Sequence, residues 1–424
     1  MGYDRCVAAR CAWVLGAIGC AWLLAACGAG GPAGRGADVV RTDSAGIRVI
    51  ENRVDPAALP ALELPAAPIV RIGVVEGSSA QQLFRVTSAV RLSDGRIAVV
   101  NSGTNELRYY GPDGVHLRSV GGAGSGPGEY RGLRTAWRLP GDSVLVNDFL
   151  EDVLAVYAPD GTLVRSWPIQ QIAPFVAPPP VGRLTNGDFV AFTRLVRSRS
   201  PDYVGRTDYN GFLIRYGPDG QPGDTLAVDP GGYDYYDRCT PGGGGGGICR
   251  IPIPFFPEAY AVAAGERIFY GNSKRFEVLV RDETGALRQI WRWTTATRPV
   301  TQADVDRALA AVIALRPDDA NRRRQLERWF AETPIPETMP AFSALRLDAA
   351  GNLWVEEFRA FMETRSTWAV FAPDGVLLGR VRMPDRFRVL DIGTDYVLGV
   401  RTDAMDVEFV ELYALPALPV DAAE

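Results

Sequence analysis

The chain is nearly devoid of lysine and histidine. Lys274 is the single lysine among 45 basic residues, and His116 is the single histidine in 424 residues. The shortage of lysine excludes most lysine chemistry. The shortage of histidine excludes more, because imidazole is the commonest general base and a frequent metal ligand. A Ser-His-Asp triad or a multi-histidine zinc site would have to be built around His116 alone. Positive charge is not in excess either. The net charge is −5, so nothing resembles the electrostatic footprint of a nucleic-acid binder. Usable cysteine is limited too: Cys6, Cys11 and Cys20 all lie in the first 26 residues. The apolar run from Trp13 to Leu24 is too short for a comfortable membrane span.

That run belongs to a leader. Arg5 and Arg10 form its charged start, and small residues are mixed through it, as in a secretory signal peptide. It ends in Leu24-Ala25-Ala26-Cys27-Gly28, which resembles the lipobox of bacterial lipoproteins. The resemblance implies a signal peptide over residues 1–26, lipidation of Cys27 and attachment to a membrane. A plain signal peptide cleaved nearby is the alternative. A multi-chain lipid anchor gives stable attachment where one chain is marginal. Loss of Arg5, Arg10 and Asp4 would leave the mature chain one charge more negative. Residues 27–45 read as a flexible Gly/Ala-rich tether. Gly rather than Asp after Cys27 favours, by resemblance to lipoprotein sorting patterns, the outer membrane, on its periplasmic side or at the cell surface.

Two cysteines remain, Cys239 and Cys249, flanking TPGGGGGGI. In an oxidising compartment they are expected to pair. Closing so short a loop contributes about 2–3 kcal/mol on the chain-entropy account. Free thiols or a metal pair are the alternatives, although two cysteines with no histidine nearby make a poor zinc site.

What the chain has in abundance is turns, with 46 glycines and 31 prolines. One turn recurs: Tyr110-Gly-Pro-Asp-Gly114, Tyr157-Ala-Pro-Asp-Gly161, Tyr216-Gly-Pro-Asp-Gly220 and Phe371-Ala-Pro-Asp-Gly375. Arg281-Asp-Glu-Thr-Gly285 is a degenerate copy. Proline presets φ, and Asp-Gly tolerates positive φ. Alternating apolar segments flank each copy, so each reads as a hairpin. A second hairpin precedes each one, at 89–101, 136–148, 181–192, 259–272 and 343–357. Two hairpins give a four-stranded blade. The last unit, 387–415, has only three strands. The segment Pro68–Gly73 echoes the outer strand and crossover at Arg118–Gly121, so the N-terminus is expected to complete that unit and close the ring. The expectation is an all-β, six-bladed β-propeller over residues 46–424, with five or seven blades as the competing counts.

These segments, above all GSGPGEY (124–130) and SDGRIAVVNSGTNELRYYGPDG (93–114), resemble the NHL-repeat and related six-bladed propellers. The likeness is nearest to a poorly characterised group of bacterial lipoproteins of that fold. It implies a fold and hardly any activity.

The repeat also sorts the loops. The DG and PDG turns share one face. The second-to-third loops and the crossovers share the other, and the insertions fall there: 194–210, 229–250, 358–367 and 301–337. Long loops on a compact scaffold commonly carry function, with neutral loop growth as the alternative. The last insertion reads as two helices, the first capped by Thr301 with Asp304 in the capping-box position. It packs on the rim or serves as a lid or docking element.

Polar residues recur where second strands end: Asn101, Asn147, Asp148, Asn272, Glu356, Glu357 and Arg401. Arg194, Lys274, Arg275 and Arg359 stand near them. Together they form a candidate ligand-binding face. Oxygen donors of this kind suit Ca²⁺, and some six-bladed lactonase-like propellers use such a metal, so a metal-assisted hydrolase or lyase is the enzymatic alternative. The same residue types also serve as strand-end caps, and no cofactor is required by the sequence. The Gly-rich GGAGSGPGEY lacks the Lys-Ser/Thr of a phosphate loop. His116 falls on the short-turn face, away from this site. Tyr233, Tyr235, Tyr236, Phe255 and Phe256 offer a sugar or peptide platform, or pack the crossover. The sequence therefore favours a monomeric, non-enzymatic module that binds protein, peptide or glycan.

Overall fold

The structure is a computed structural model. It describes residues 38–418 apart from 60, 173–178, 197–202, 240–246, 296–297 and 360–362. The leader, Cys27 and most of the expected tether lie outside the described residues.

The fold is propeller-like and mostly β, made of several small sheets. Four-stranded antiparallel meanders follow one another: unit one over 86–121, unit two over 133–168, unit three over 180–239, unit four over 259–293 and unit five over 342–382. Unit six has three strands of its own over 387–414. Its fourth is Val70–Ile72, antiparallel to Glu408–Ala414 with Val410 opposite Ile72 and Leu412 opposite Val70. Buried Glu411 fastens this seam. Tyr413 donates to it at 2.7 Å, and Arg71 and Arg401 flank it at 3.5 and 4.0 Å.

Each repeat glycine lies in the left-handed region, from φ 80° at Gly220 to 90° at Gly375. The degenerate copy behaves likewise, with Gly285 at φ 87°. These glycines also answer a second demand. A Cβ on Gly375 would meet the Trp291 indole nitrogen at 2.6 Å, and one on Gly161 would meet Arg118 at 2.8 Å. One on Gly220 would strike Pro168, and one on Gly285 would strike Leu226. Each turn therefore rests on the outer strand of the preceding unit. Gly114 of unit one rests on Val70, at 3.0 Å.

Apolar clusters lie between successive units. Val99 and Tyr110 of unit one pack with Leu398 and Val410 of unit six. Val100 and Tyr109 pack with Val144 and Val146 of unit two. Equivalent clusters join two to three, three to four, four to five and five to six. Burial of these faces is the main stabilising term.

Residues 38–45, expected in the tether, instead carry strand Val39–Ser44, paired with Ile47–Asn52. The second of these strands runs parallel to the outer strand of unit four, and Ala61–Glu63 runs parallel to that of unit five. The N-terminal chain thus runs along the rims of units four and five before joining unit six. Buried Asn52 ties the first two, donating to Arg292 O and Gly375 O at 3.1 and 3.0 Å and accepting from Leu377 N at 2.8 Å. No helix among the described residues is long and apolar enough to cross a membrane.

Unit three departs from the loops expected at 194–210 and 229–250. Its second strand runs to Val196, its third spans Gly205–Tyr216 and its fourth Pro222–Cys239, with Gly247–Arg250 added beyond. Gly231 and Gly232 sit inside this strand because Tyr209 and Pro257 occupy the space that side chains would need.

Candidate functional site

On the face bearing the insertions, the helices α1 (Gln302–Ala314) and α2 (Ala320–Glu332) form a core of their own with the unit-three extension. Thr301 caps α1 in a reciprocal box with Asp304, and Asp319 caps α2. Val305, Ala308 and Val312 of α1 pack with Leu326, Trp329 and Phe330 of α2 on Ile251, Ile253, Phe255 and Phe256. Tyr233 and Tyr235 lie 5.2 and 5.3 Å from the Phe256 ring. These aromatics are packing residues for the insertion rather than an open platform. A disulfide joins Cys239 to Cys249 within this core. The helices dock beside it. Trp329 Nε1 donates to Asp237 Oδ2 at 2.7 Å, Arg328 pairs with the same carboxylate at 2.8 Å, and Gln325 donates to Arg238 O at 3.1 Å.

The candidate ligand-binding residues separate into groups. Asn101, Asn147 and Asp148 are buried caps. Asn101 accepts from Phe84 N at 2.8 Å and donates to Thr104 at 2.7 Å. Asp148 accepts from the backbone of Arg131, Leu150 and Glu151 at 2.7–3.2 Å. Asn147 donates to Val153 O at 3.3 Å. Asn272 caps its own turn, accepting from Lys274 N at 3.0 Å and donating to the Pro230 and Gly231 carbonyls. Arg401 belongs to the Glu411 seam.

A second group forms a charged chain. Arg194 lies 3.5 Å from Asp234, which is fully buried and accepts from Arg250 at 2.5 Å; Arg250 in turn pairs with Glu258 at 2.5 Å. Burial works against the charge on Arg250, but Asp234 and Glu258 outweigh it and raise its pKa. Tyr209 and Tyr260 lie within the field of Glu258, and burial first, then that charge, pushes both hydroxyls up. Glu356 accepts from Ser343 at 3.0 Å and pairs with Arg359 at 3.3 Å.

Lys274, Arg275 and Glu357 come together elsewhere. They line a cavity of about 320 Å³ between units four and five, at the root of the helical insertion.

The first strands of the units face one another, that of unit one touching those of units two and six, and those of three and four pairing in parallel. They carry arginines at a recurring Arg-Leu step: Arg91, Arg138, Arg183 and Arg346, with Asp391 in unit six. Arg346 donates to Leu390 O at 3.2 Å and Arg388 to Val86 O at 2.5 Å. Neither has a carboxylate within ion-pair distance among the described residues. Burial, then the Arg388 charge, lowers the Arg346 pKa, while burial raises that of Asp391 against the hydrogen bond from Tyr396. The Arg-Leu step, which recurs in four of the hairpins, is a sequence signal by which these inner positions could have been found. Asp234, Arg250 and Glu258 had no such signal, since they lie in the irregular extension.

No three of His, Cys, Asp and Glu converge to hold a metal ion among the described residues. The carboxylates singled out for Ca²⁺ are engaged separately: Asp148 by backbone N–H groups, Glu356 by Ser343 and Arg359, and Glu357 by Nε and Nη2 of Arg380 at 2.6 and 2.7 Å. His116 stands on the outer strand of unit one, 3.0 Å from Ser119 Oγ and edge-on to Tyr110.

No protein-family model matches the chain. No curated protein matches it in sequence either. Among solved structures it is similar to an exported-protein candidate from Bacteroides fragilis, with 11% identity, 87% of this chain and 99% of that one covered, and a TM-score of 0.46. It is also similar to virginiamycin B lyase from Staphylococcus aureus (9% identity, 81% and 98% covered, TM-score 0.37). A Bacteroides vulgatus member of the DUF4221 family gives 11% identity, 84% and 98% covered, and a TM-score of 0.40. At such similarity none of these bears on what the chain binds.

Proposed function

We propose that the chain is an exported, lipid-anchored binding module whose six units are the blades of a closed propeller, and whose ligand is a protein, peptide or glycan held on the insertion-bearing face. Residues 1–26 are the signal peptide, Cys27 carries the lipid, and the mature protein is a monomer on the outer membrane. The observation that carries the reading is the asymmetry of the two faces. One face has short turns fixed by repeated glycines, and the other carries an extra core, held by a disulfide, that joins the 301–337 insertion to the 229–250 extension. Long structured insertions concentrated on one side of a compact scaffold commonly carry function. The cyclic run of apolar clusters and the pairing of Val70–Ile72 with unit six support closure.

The test is cross-linking capture from intact membranes with the full-length lipoprotein. A specific envelope component should be captured by the native chain and lost when residues 302–332 are deleted. Charge reversal at Arg323 and Arg324, both on exposed turns of α2, is the companion variant that keeps the fold. Capture unchanged in both variants overturns the reading. Cys27→Ala should release the protein from membranes, and retention there would refute the anchor.

A further inference from the structure

The cavity between units four and five is walled partly by core residues, Phe276 and Trp293 of the cluster between these units and Met339 of the insertion core, and partly by charged side chains outside the Arg194–Asp234–Arg250–Glu258 chain. Its floor is apolar: Phe276, Trp293 and Phe358. Its outer wall is the neck of the insertion, where Met339 N donates to Arg298 O at 2.8 Å and Val300 N to Glu337 O at 3.0 Å. Four cations line it, Lys274, Arg275, Arg292 and Arg298, against two carboxylates, Glu277 and Glu357.

The pairing among these charges is uneven. Glu277 is shared by Arg275 at 2.5 Å and Arg292 at 2.7 Å. Glu357 is held by Arg380 from outside the cavity. Among the described residues Arg298 has one ion-pair partner, Glu363, at 3.5 Å, and both are about half exposed. Nearby, Glu51 is matched by Arg53 at 2.8 Å. Among the described residues, neither Lys274, the chain's only lysine, nor the Thr295 hydroxyl beside the cavity has a side-chain ion pair or hydrogen bond. The cavity wall is therefore net positive in a chain whose net charge is −5.

We infer that this cavity binds a small organic carboxylate with an apolar or aromatic body, its carboxylate received by Lys274 with Arg298 and its body resting on Trp293, Phe276 and Phe358. The volume is at the lower end of the range for small-molecule sites. Convergent cations over an apolar floor suit that shape and charge, and they repel an amine of the same outline. The inference rests on the insertion-bearing face being the ligand-binding face, and names the chemistry of one site on it.

Phenylacetate is the probe, with phenethylamine, inorganic phosphate and acetate as comparisons, followed by calorimetry on the full chain. Phenylacetate should bind, phenethylamine should not, and phosphate and acetate should compete poorly. Lys274→Met should weaken phenylacetate by ~10-fold or more, the size expected for losing one charge-assisted contact, while Lys274→Arg keeps most of the affinity. Lys274 is exposed, so neither change threatens folding. Because the chain has one lysine, amine-directed labelling followed by peptide mass spectrometry reads that side chain alone, and phenylacetate should protect it. Equal binding of phenethylamine, full competition by phosphate, or unchanged affinity in Lys274→Met would each overturn the assignment. Failure here with membrane capture still dependent on residues 302–332 removes this site and leaves the binding-module reading intact. Lys274-dependent phenylacetate binding with capture indifferent to the insertion does the reverse.

Discussion

Glycine does different work on the two sides of the molecule. On the short-turn face, Gly161, Gly220, Gly285 and Gly375 sit in left-handed turns pressed on the neighbouring unit. On the insertion side, Gly231 and Gly232 sit within a strand, where Tyr209 and Pro257 leave no room for a side chain. The first group is periodic and the second is not. A regular scaffold needs the same local geometry at each repeat, whereas the insertion solves a packing problem posed once.

The sharpest test of that contrast is Gly285→Ala, in the turn with the least repeat-like sequence. The new Cβ adds positive-φ strain and runs into the Leu226 carbonyl. The expected cost is about 3 kcal/mol in denaturant unfolding. Gly141→Ala is the comparison, since Gly141 has φ 75° but nothing within 4 Å of its Cβ; strain alone should cost about 1 kcal/mol. Equal losses would mean that turn conformation, not close approach between units, explains the repeat.

The insertion should fail by itself. Replacing Cys239 and Cys249 by alanine is expected to lower the opening free energy of that core by about 2–3 kcal/mol. Hydrogen exchange should quicken across α1 and α2 and stay slow in strands Ile97–Asn101 and Glu106–Tyr110 of unit one. Equal acceleration in both places would show one cooperative core instead of two.

That difference also explains what the sequence made legible. The Tyr-x-Pro-Asp-Gly turns announced the hairpins because turn chemistry is local. Even Arg281–Gly285 was readable, since Gly285 keeps the turn glycine, while Asp282, one turn position earlier than Pro, accepts from Ala286 N in place of the aspartate that Thr284 replaces. The strand at Val70–Ile72 was readable because it echoes Arg118–Gly121. The rim strands Ile47–Asn52 and Ala61–Glu63 were not, because their partners in units four and five lie far along the chain, and Val39–Ser44, which pairs only with Ile47–Asn52, read as part of the tether. The extension of unit three was read as loop because its glycines and tyrosines look like turn material until Tyr209 and Pro257 are seen beside them. At the site, single residues such as Asn101 and Asp148 were readable as polar strand ends, but whether they cap or bind depended on contacts that only the fold supplies. Lys274, Arg275 and Glu357 meet at one cavity because units four and five are neighbours there.

A smaller effect is expected where the helices meet the disulfide hairpin. Asp237→Ala removes the acceptor of the Trp329 indole and the partner of Arg328. Leaving that buried N–H unpaired should cost about 1–2 kcal/mol, again confined to the insertion. Asp237→Asn keeps an acceptor and should recover part of the loss. If exchange in α2 is unchanged in the alanine variant, α2 is held by its apolar face alone.

The smallest effect concerns acid, and it returns to the degenerate turn. Asp282 is pushed up by partial burial, but bonds from the Thr284 hydroxyl and Arg288, and from the backbone of Thr284 and Ala286, outweigh this and hold its pKa at about 2. The folded value lies below the ordinary 3.8. Its stabilisation is therefore present above pH ~4 and is lost as pH falls toward about 2, because only the unfolded chain takes up the proton readily in that window. The contribution is on the order of 1–2 kcal/mol. Urea midpoints for the native chain should drop between about pH 5 and pH 2.5 more steeply than those of Asp282→Asn, which has no proton to gain there. Parallel slopes for the two proteins would mean that this carboxylate contributes nothing to acid sensitivity, and that the turn is held by Gly285 and its contact with unit three.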